Sequence, residues 1–247
     1  MEKYFELLRV SIRALVTGGA RGIGRAISSS LVEAGFDVII LDKISPEDIK
    51  CDFIQVDLSD ENATNNALEL SLQKGDITRL VNNVGIVSPA YLRDSTTLDF
   101  ASVMNINVKT AILCAKALLP GMESRKFGRI VNIASRTVLG KPLRTNYSAS
   151  KGALISLSRT WALELAEYGV TSNTVCPGPI ATELYTQANP SDSQRTRSSL
   201  ANIPLGRIGT PDDVAAAVMF FLGNEAAFIT GQTLHVCGGS SVGRNDF

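Results

Sequence analysis

The sequence holds one histidine, His235, and four cysteines at positions 51, 114, 176 and 237, with no CxxC pair. Without a second imidazole or a clustered thiol set, a zinc centre is not expected. Cysteines so scattered read as reduced, buried thiols in a reducing, cytoplasmic compartment. Charge of either sign is not in excess: 24 basic residues face 24 acidic ones, with no like-charge tail. Such a balance argues against a nucleic-acid partner. No 18-residue apolar run is apparent, so no membrane span is expected. The first residues, MEKYFELLRVSIRALV, are charged early and lack an apolar run with a cleavage site, so no signal peptide is expected. There is also no internal repeat, low-complexity block or linker in the 247 residues, and the chain reads as one domain over 1–247.

What is present is a series of short apolar runs alternating with helical patterns. IRALV at 12–16 is followed by TGGARGIG at 17–24 and a helical stretch at 25–35. Strand, glycine turn and helix form the setting in which backbone N–H groups at a helix start hold a phosphate. Gly18 permits the tight turn, and Gly22 and Gly24 allow close approach of a diphosphate. A glycine turn without a ligand is the plainer alternative. DVIILDK at 37–43 ends in Asp42, an acid about 20 positions beyond the loop, which suits a ribose diol. Its charge repels a 2′-phosphate, whereas Arg21 and Lys43 attract one; on balance NAD is expected, with NADP the alternative. Further strands are expected at 53–59, where Asp57 and Leu58 reach the sheet edge, and at 77–85, 127–135, 170–184 and 233–239. Asn82 and Asn83 either pin strand ends or line a cofactor cleft. A long helix is expected over 98–124, with Asn105 and Asn107 inside it, and another over 147–167. The polar stretch at about 183–208 reads as a lid or as a plain exposed loop.

The chain is organised around SRTVLGKPLRTNYSASK, 135–151. Tyr147 and Lys151 stand four apart and share one face of a helix. An ammonium held near a phenol lowers its pKa from about 10. A tyrosine so tuned can exchange a proton with a substrate oxygen, and a hydroxyl from Ser135 can hold that oxygen. With a hydride carrier nearby, this interconverts a ketone and a secondary alcohol. Taken alone, such a pair is far more often a solvated helix face than a catalytic one.

Taken together, TGGARGIG, NNVG at 82–85, Asn107 in MNINVKT, Ser135 in NIAS, YSASK at 147–151 and PGPIATEL at 177–184 are similar to the compact-subunit short-chain dehydrogenases/reductases. The resemblance runs from about Ile12 to Gly239. The YxxxK and GxxxGxG spacings separate the chain from extended epimerase-type and enoyl-reductase-type relatives. The resemblance implies an α/β, doubly wound, three-layer Rossmann-type fold with a seven-stranded parallel sheet. It implies a tetrad of Asn107, Ser135, Tyr147 and Lys151, with Asn107 holding a water that links Lys151 to solvent. For the cofactor it implies Gly18, Arg21, Gly22, Ile23 and Gly24 at the loop, Asp42 at the adenosine ribose, and Asp57 with Leu58 at the adenine. It places Asn83, Gly85, Tyr147 and Lys151 at the nicotinamide ribose side, and Pro177, Ile180 and Thr182 at the carboxamide turn. A homotetramer, or a dimer, built on the two long helices and the last strand is also implied.

Val84, Thr110 and Cys237 depart from the usual residues, and Tyr168 stands where reductases of carrier-protein thioesters tend to have a base. The expected activity is hydride transfer between a nicotinamide and a small ketone or secondary alcohol. An NADPH-dependent 3-oxoacyl thioester reductase, with a basic docking face near Lys126 and Arg129, is one alternative, and a non-catalytic dinucleotide-binding protein is another. Arg136 and Arg144 imply an acidic or phosphorylated substrate if either faces the pocket, and imply nothing if both face solvent.

Overall fold

The computed structural model describes residues 12–188, Arg197 and residues 200–243. In chain order the elements are β1 (Arg13–Thr17), α1 (Gly22–Glu33), β2 (Asp37–Asp42), β3 (Asp52–Gln55), α2 (Glu61–Leu72) and β4 (Arg79–Asn82). Then follow α3 (Thr97–Met104), a π turn (Asn105–Lys109), α4 (Thr110–Ser124), β5 (Gly128–Ile133) and α5 (Thr145–Glu164). The series closes with β6 (Val170–Pro177), α6 (Glu183–Ala188), α7 (Pro211–Leu222) and β7 (Thr233–Val236).

The seven strands form one parallel sheet in the order β3-β2-β1-β4-β5-β6-β7. Because successive strand residues point to opposite faces, β1 feeds two cores. Ala14 and Val16 pack with Ile27 and Leu31 of α1 and with Val214, Val218 and Phe221 of α7. Leu15 packs on the other face with Leu68 of α2 and with Cys114, Leu118 and Met122 of α4. Each such leucine contributes about 1.5–3 kcal/mol on burial. The result is the expected doubly wound, three-layer fold.

The helix starts follow their caps. Asp60 accepts from the Ala63 N–H at 3.0 Å, and Thr210 and Asp213 form a reciprocal capping box at α7. The strands are shorter than the apolar runs suggested. β4 ends at Asn82, because the Asn82 side chain donates to Asn132 Oδ1 at 2.8 Å while Asn83 turns to bond the β1 end. The helical run 97–124 is long and apolar enough, by length and composition, to pass for a membrane span, against the expectation that no such stretch exists. Its buried side chains Cys114, Leu118 and Met122 pack on the sheet, so the run serves as a core helix. The expected lid lies partly outside the described residues. Within them, α6 is helical and Ile203 is buried.

Candidate active site

The carboxyl ends of β1, β4, β5 and β6 frame one cleft, at the edge where ligands of open parallel sheets bind. The loop after β1 enters α1 without any capping side chain, unlike α2 and α7, so the first-turn N–H groups are left for an anion. Gly18 and Gly22 have positive φ of 64° and 53°. A Cβ on Gly24 would collide with the Gly18 carbonyl, so only glycine permits this closeness. The Asn83 amide donates to the Thr17 and Gly18 carbonyls at 3.1 and 2.8 Å and fixes the loop. These features fit a dinucleotide diphosphate.

A cavity of about 400 Å³ continues from this loop. Ile23, Asn83, Gly85 and Ser135 line it on one side, with Tyr147 and Lys151 of α5 beside them. Pro177, Ile180 and Thr182 line it from the turn after β6. Gly18, Arg21, Gly22, Gly24, Asp42, Asp57 and Leu58 lie outside this lining. Arg21 borders a neighbouring cavity with Ala20, Arg25 and Ser45. Asp42, at the end of β2, accepts the N–H of Ala20, which lines that cavity, on Oδ2 at 3.0 Å. Asp57 accepts from the Ser59 hydroxyl and pairs with Lys43 at 2.9 Å, and with the Ser59 N–H these hold its pKa down at about 2. Leu58 is buried, and its carbonyl accepts from Thr110 Oγ1 at 3.0 Å.

Asn107 is buried beneath the cavity. The π turn, a form found in short pieces at functional sites, lets it exchange two hydrogen bonds with Ile86, at 2.8 and 3.0 Å, and donate to Ser150 Oγ at 2.9 Å. A Cβ built on Gly85 would lie 3.2 Å from both Asn107 Oδ1 and Lys151 Nζ. Asn107 and Lys151 therefore converge on one point beside the cavity. The partner that a buried asparagine requires was foreseeable; the π turn was not.

The electrostatics differ from the simple expectation for the Tyr147–Lys151 pair. Burial raises the Tyr147 pKa, while the Ser135 hydrogen bond and the Arg144 charge act to lower it. Lys151 Nζ donates to the Ile133 carbonyl at 2.7 Å, and burial pushes its own pKa down to about 8. The Lys151 ammonium is spent on a carbonyl, and Arg144 is the cation that favours phenolate. Cys176 and Cys114 are inert thiols, pushed up to about 11 and 12 by burial.

Arg136, Lys141 and Arg144 all line the cavity. Leu143, with φ +63°, turns the chain ahead of Arg144 and α5. Of the two residues named for the alternative docking face, Lys126 is exposed and Arg129 is not. Arg129 is buried and donates to the Gly128 and Gly169 carbonyls at 2.8 and 3.2 Å, so its charge faces protein. Lys141 and Tyr185 also line the cavity and were not singled out by sequence, since nothing in their spacing marks them.

A family model described as enoyl-(acyl carrier protein) reductase matches residues 18–241. The 3-oxoacyl-[acyl-carrier-protein] reductase FabG of Vibrio harveyi is 38% identical over 238 residues, covering 92% of this chain and 96% of that one. The chain belongs to the short-chain dehydrogenase/reductase family. The (2S)-[(R)-hydroxy(phenyl)methyl]succinyl-CoA dehydrogenase subunit BbsD of Thauera aromatica is 34% identical, covering 93% and 96%. Among solved structures, an aldohexose dehydrogenase of Thermoplasma acidophilum superposes with a TM-score of 0.88 at 32% identity, covering 96% of each chain. Like other members of this family, the protein is an NAD(P)-dependent oxidoreductase.

Proposed function

We propose that this enzyme interconverts a ketone and a secondary alcohol on a small substrate bearing a carboxylate or phosphate, and that it prefers NAD(H). The observation that carries this is the single cavity in which Ser135, Tyr147 and Lys151 meet Arg136, Lys141 and Arg144. The nicotinamide supplies or accepts the hydride. Gly18, Gly22 and Gly24 bind the diphosphate through backbone N–H groups, with Ile23 over the loop. Asp42 takes the adenosine ribose hydroxyls and excludes a 2′-phosphate. Asp57 and Leu58 flank the adenine, and Asn83, Gly85 and Lys151 hold the nicotinamide ribose. Pro177, Ile180 and Thr182 hold the carboxamide turn. Ser135 Oγ donates to the substrate oxygen, and the Tyr147 hydroxyl gives or takes its proton. Asn107 and Lys151 relay that proton outward. The basic side chains at the cavity hold the anionic end of the substrate and set which carbon faces the cofactor.

Lys43 would favour NADP, but it is paired with Asp57 at 2.9 Å, which supports the NAD preference. A homotetramer or dimer is supported by Leu98 on α3 and Leu163 on α5, each 82% exposed on the two long helices. The family relatives support a cytoplasmic enzyme.

The second reading, a 3-oxoacyl thioester reductase using NADPH, is favoured by the FabG relative. Tyr168 in place of a base and the buried Arg129 weigh against it. Following absorbance at 340 nm with carboxylated and neutral alcohols and ketones, using NAD(H) and NADP(H) separately, distinguishes the readings. Tyr147→Phe should lower hydride transfer by about 10²–10⁴-fold while leaving dinucleotide binding intact. Retention of more than a few per cent of activity would remove Tyr147 from the proposed role, whereas dinucleotide binding with no turnover of any substrate in the wild-type chain would favour a binding protein.

A further inference from the structure

At the opposite, amino-terminal edge of the sheet lies a second cavity of about 470 Å³, lined by Arg13, Lys74, Arg79 and Arg125 together with Asp76 and Phe127. Three of its four cations are already paired. Arg13 meets Asp37 at 3.2 Å, Lys74 meets Asp52 at 2.7 Å and Arg125 meets Asp76 at 2.8 Å. Arg79 is different. It is 6% exposed, and among the described residues no carboxylate pairs with it. Its Nη1 donates to Thr78 Oγ1 at 2.9 Å, and its Nε–H is buried with no acceptor.

The neighbouring strand makes this worse. Arg79 and Arg129 are register partners in the β4–β5 ladder, where like charges side by side destabilise. Their guanidinium carbons each lie 4.2 Å from the centre of the Phe127 ring. Arg129 is compensated by the Gly128, Gly169 and Gly223 carbonyls. Among the described residues, Arg79 has the Thr78 hydroxyl and the Phe36 and Phe127 rings. Burial together with the Arg129 charge pushes its pKa down to about 10, so it remains protonated at neutral pH. A buried, charged, half-satisfied arginine beside an open cavity is costly unless an anion completes it.

We infer that this cavity binds a small oxyanion, the phosphate or carboxylate group of a metabolite, held by the Arg79 guanidinium that lines it. A guanidinium fork matches two oxygens of such a group. Arg13 and Arg125 add attraction from the rim, while Asp76 limits how many negative charges the ligand can carry. The site lies across the sheet from the catalytic cleft and does not depend on the proposed reaction.

The test is thermal unfolding of the full chain with saturating NAD(H), so that the glycine loop is filled, titrated with inorganic phosphate at constant ionic strength. A saturable rise in Tm of a few degrees is expected, with none for matched sodium chloride. Arg79→Met should abolish the rise and leave hydride transfer unchanged. Should that variant fail to fold, Arg79→Lys keeps the charge but not the fork, and should weaken phosphate binding at least about tenfold. ³¹P line broadening on the same samples gives the affinity directly. An unsaturable response, a rise equally large with chloride, or one retained in Arg79→Met or undiminished in Arg79→Lys overturns the site.

Discussion

Lys151 Nζ lies 5.7 Å from the centre of the Tyr147 ring and donates to the Ile133 carbonyl instead of the phenol. The two residues share a cavity, but the cation that acts on the tyrosine is Arg144. Burial sets it upward, and the opposing influences are Ser135 and Arg144, with Cys176 acting with burial. The identity of the tuning cation becomes a question that substitution can answer.

Arg144→Gln should move the Tyr147 pKa further up. In alcohol oxidation the phenolate is the base, so the rate rises as pH passes the tyrosine pKa, and that limb should shift to higher pH. In ketone reduction the phenol is the acid, so the rate falls with rising pH, and that limb should also shift upward. Arg136→Gln, which does not act on the phenol, should raise KM for a carboxylated substrate and leave both limbs in place. pH profiles of kcat for the two variants, in both directions, check this. Identical profiles in Arg144→Gln and the wild-type chain would return the tuning role to Lys151 with cofactor bound.

Lys151 is 3% exposed, and its pKa falls from 10.5 to about 8 in the fold. Below about pH 8 it is charged in both folded and unfolded chains, and the full cost of burying the ammonium is present. Between about 8 and 10.5 the folded chain has released the proton and the unfolded chain has not, so stability rises with pH across that window. Lys151→Met should abolish activity yet raise stability at pH 7 by about 1–3 kcal/mol, as apolar replacement of buried charge often does. The gap from wild type should close towards pH 10. Denaturant unfolding at pH 7 and pH 9.5 measures it; a Lys151→Met chain less stable at pH 7 would contradict the assignment of cost.

Much of this was legible in the chain, for identifiable reasons. Strand runs such as RALVT carry their two-faced burial in an unbroken apolar stretch, and Thr210-Pro211-Asp212-Asp213 announces a helix start that the capping box realises. The glycine loop was readable because Gly18 and Gly24 have steric duties that no other residue meets. What stayed hidden depends on partners distant in sequence. The π turn exists because Asn105 bonds the Ser59 carbonyl and Asn107 bonds Ile86, and no local propensity encodes that. Arg129 read as a surface base because charge is normally exposed. Its burial follows from its place in a central strand, with carbonyls of the 169 and 223 turns waiting for it.

Asp42 and Lys43 bear on cofactor choice in opposite senses, and the pairing of Lys43 with Asp57 leaves Asp42 to decide. Asp42→Asn keeps an acceptor for the Ala20 N–H and removes only the charge. The ratio of kcat/KM for NAD over NADP should favour NAD in the wild-type chain and fall at least about tenfold in Asp42→Asn, equal to ~1.4 kcal/mol. Initial rates with each cofactor at fixed substrate give the ratio. An unchanged ratio would mean that Arg21 and Arg25 at the neighbouring cavity govern the choice.

Gly24 offers the sharpest test of the loop, because its constraint is contact and not conformation. A methyl group there would meet the Gly18 carbonyl and the Asn83 amide, the same amide that ties the loop to the end of β4. Gly24→Ala must therefore push the loop away from α1 or break the Asn83 bond to Gly18. Overpacking of this kind costs about 1–3 kcal/mol, and the displaced N–H groups no longer converge on one anion. Unfolding should show the loss of stability, and fluorescence titration with NADH should show Kd raised at least about tenfold. The KM for substrate, whose contacts lie between the end of β5 and the first turn of α5, should change far less. A Gly24→Ala chain that binds NADH like the wild type would show that the loop relaxes freely, and the diphosphate would then have to be held elsewhere.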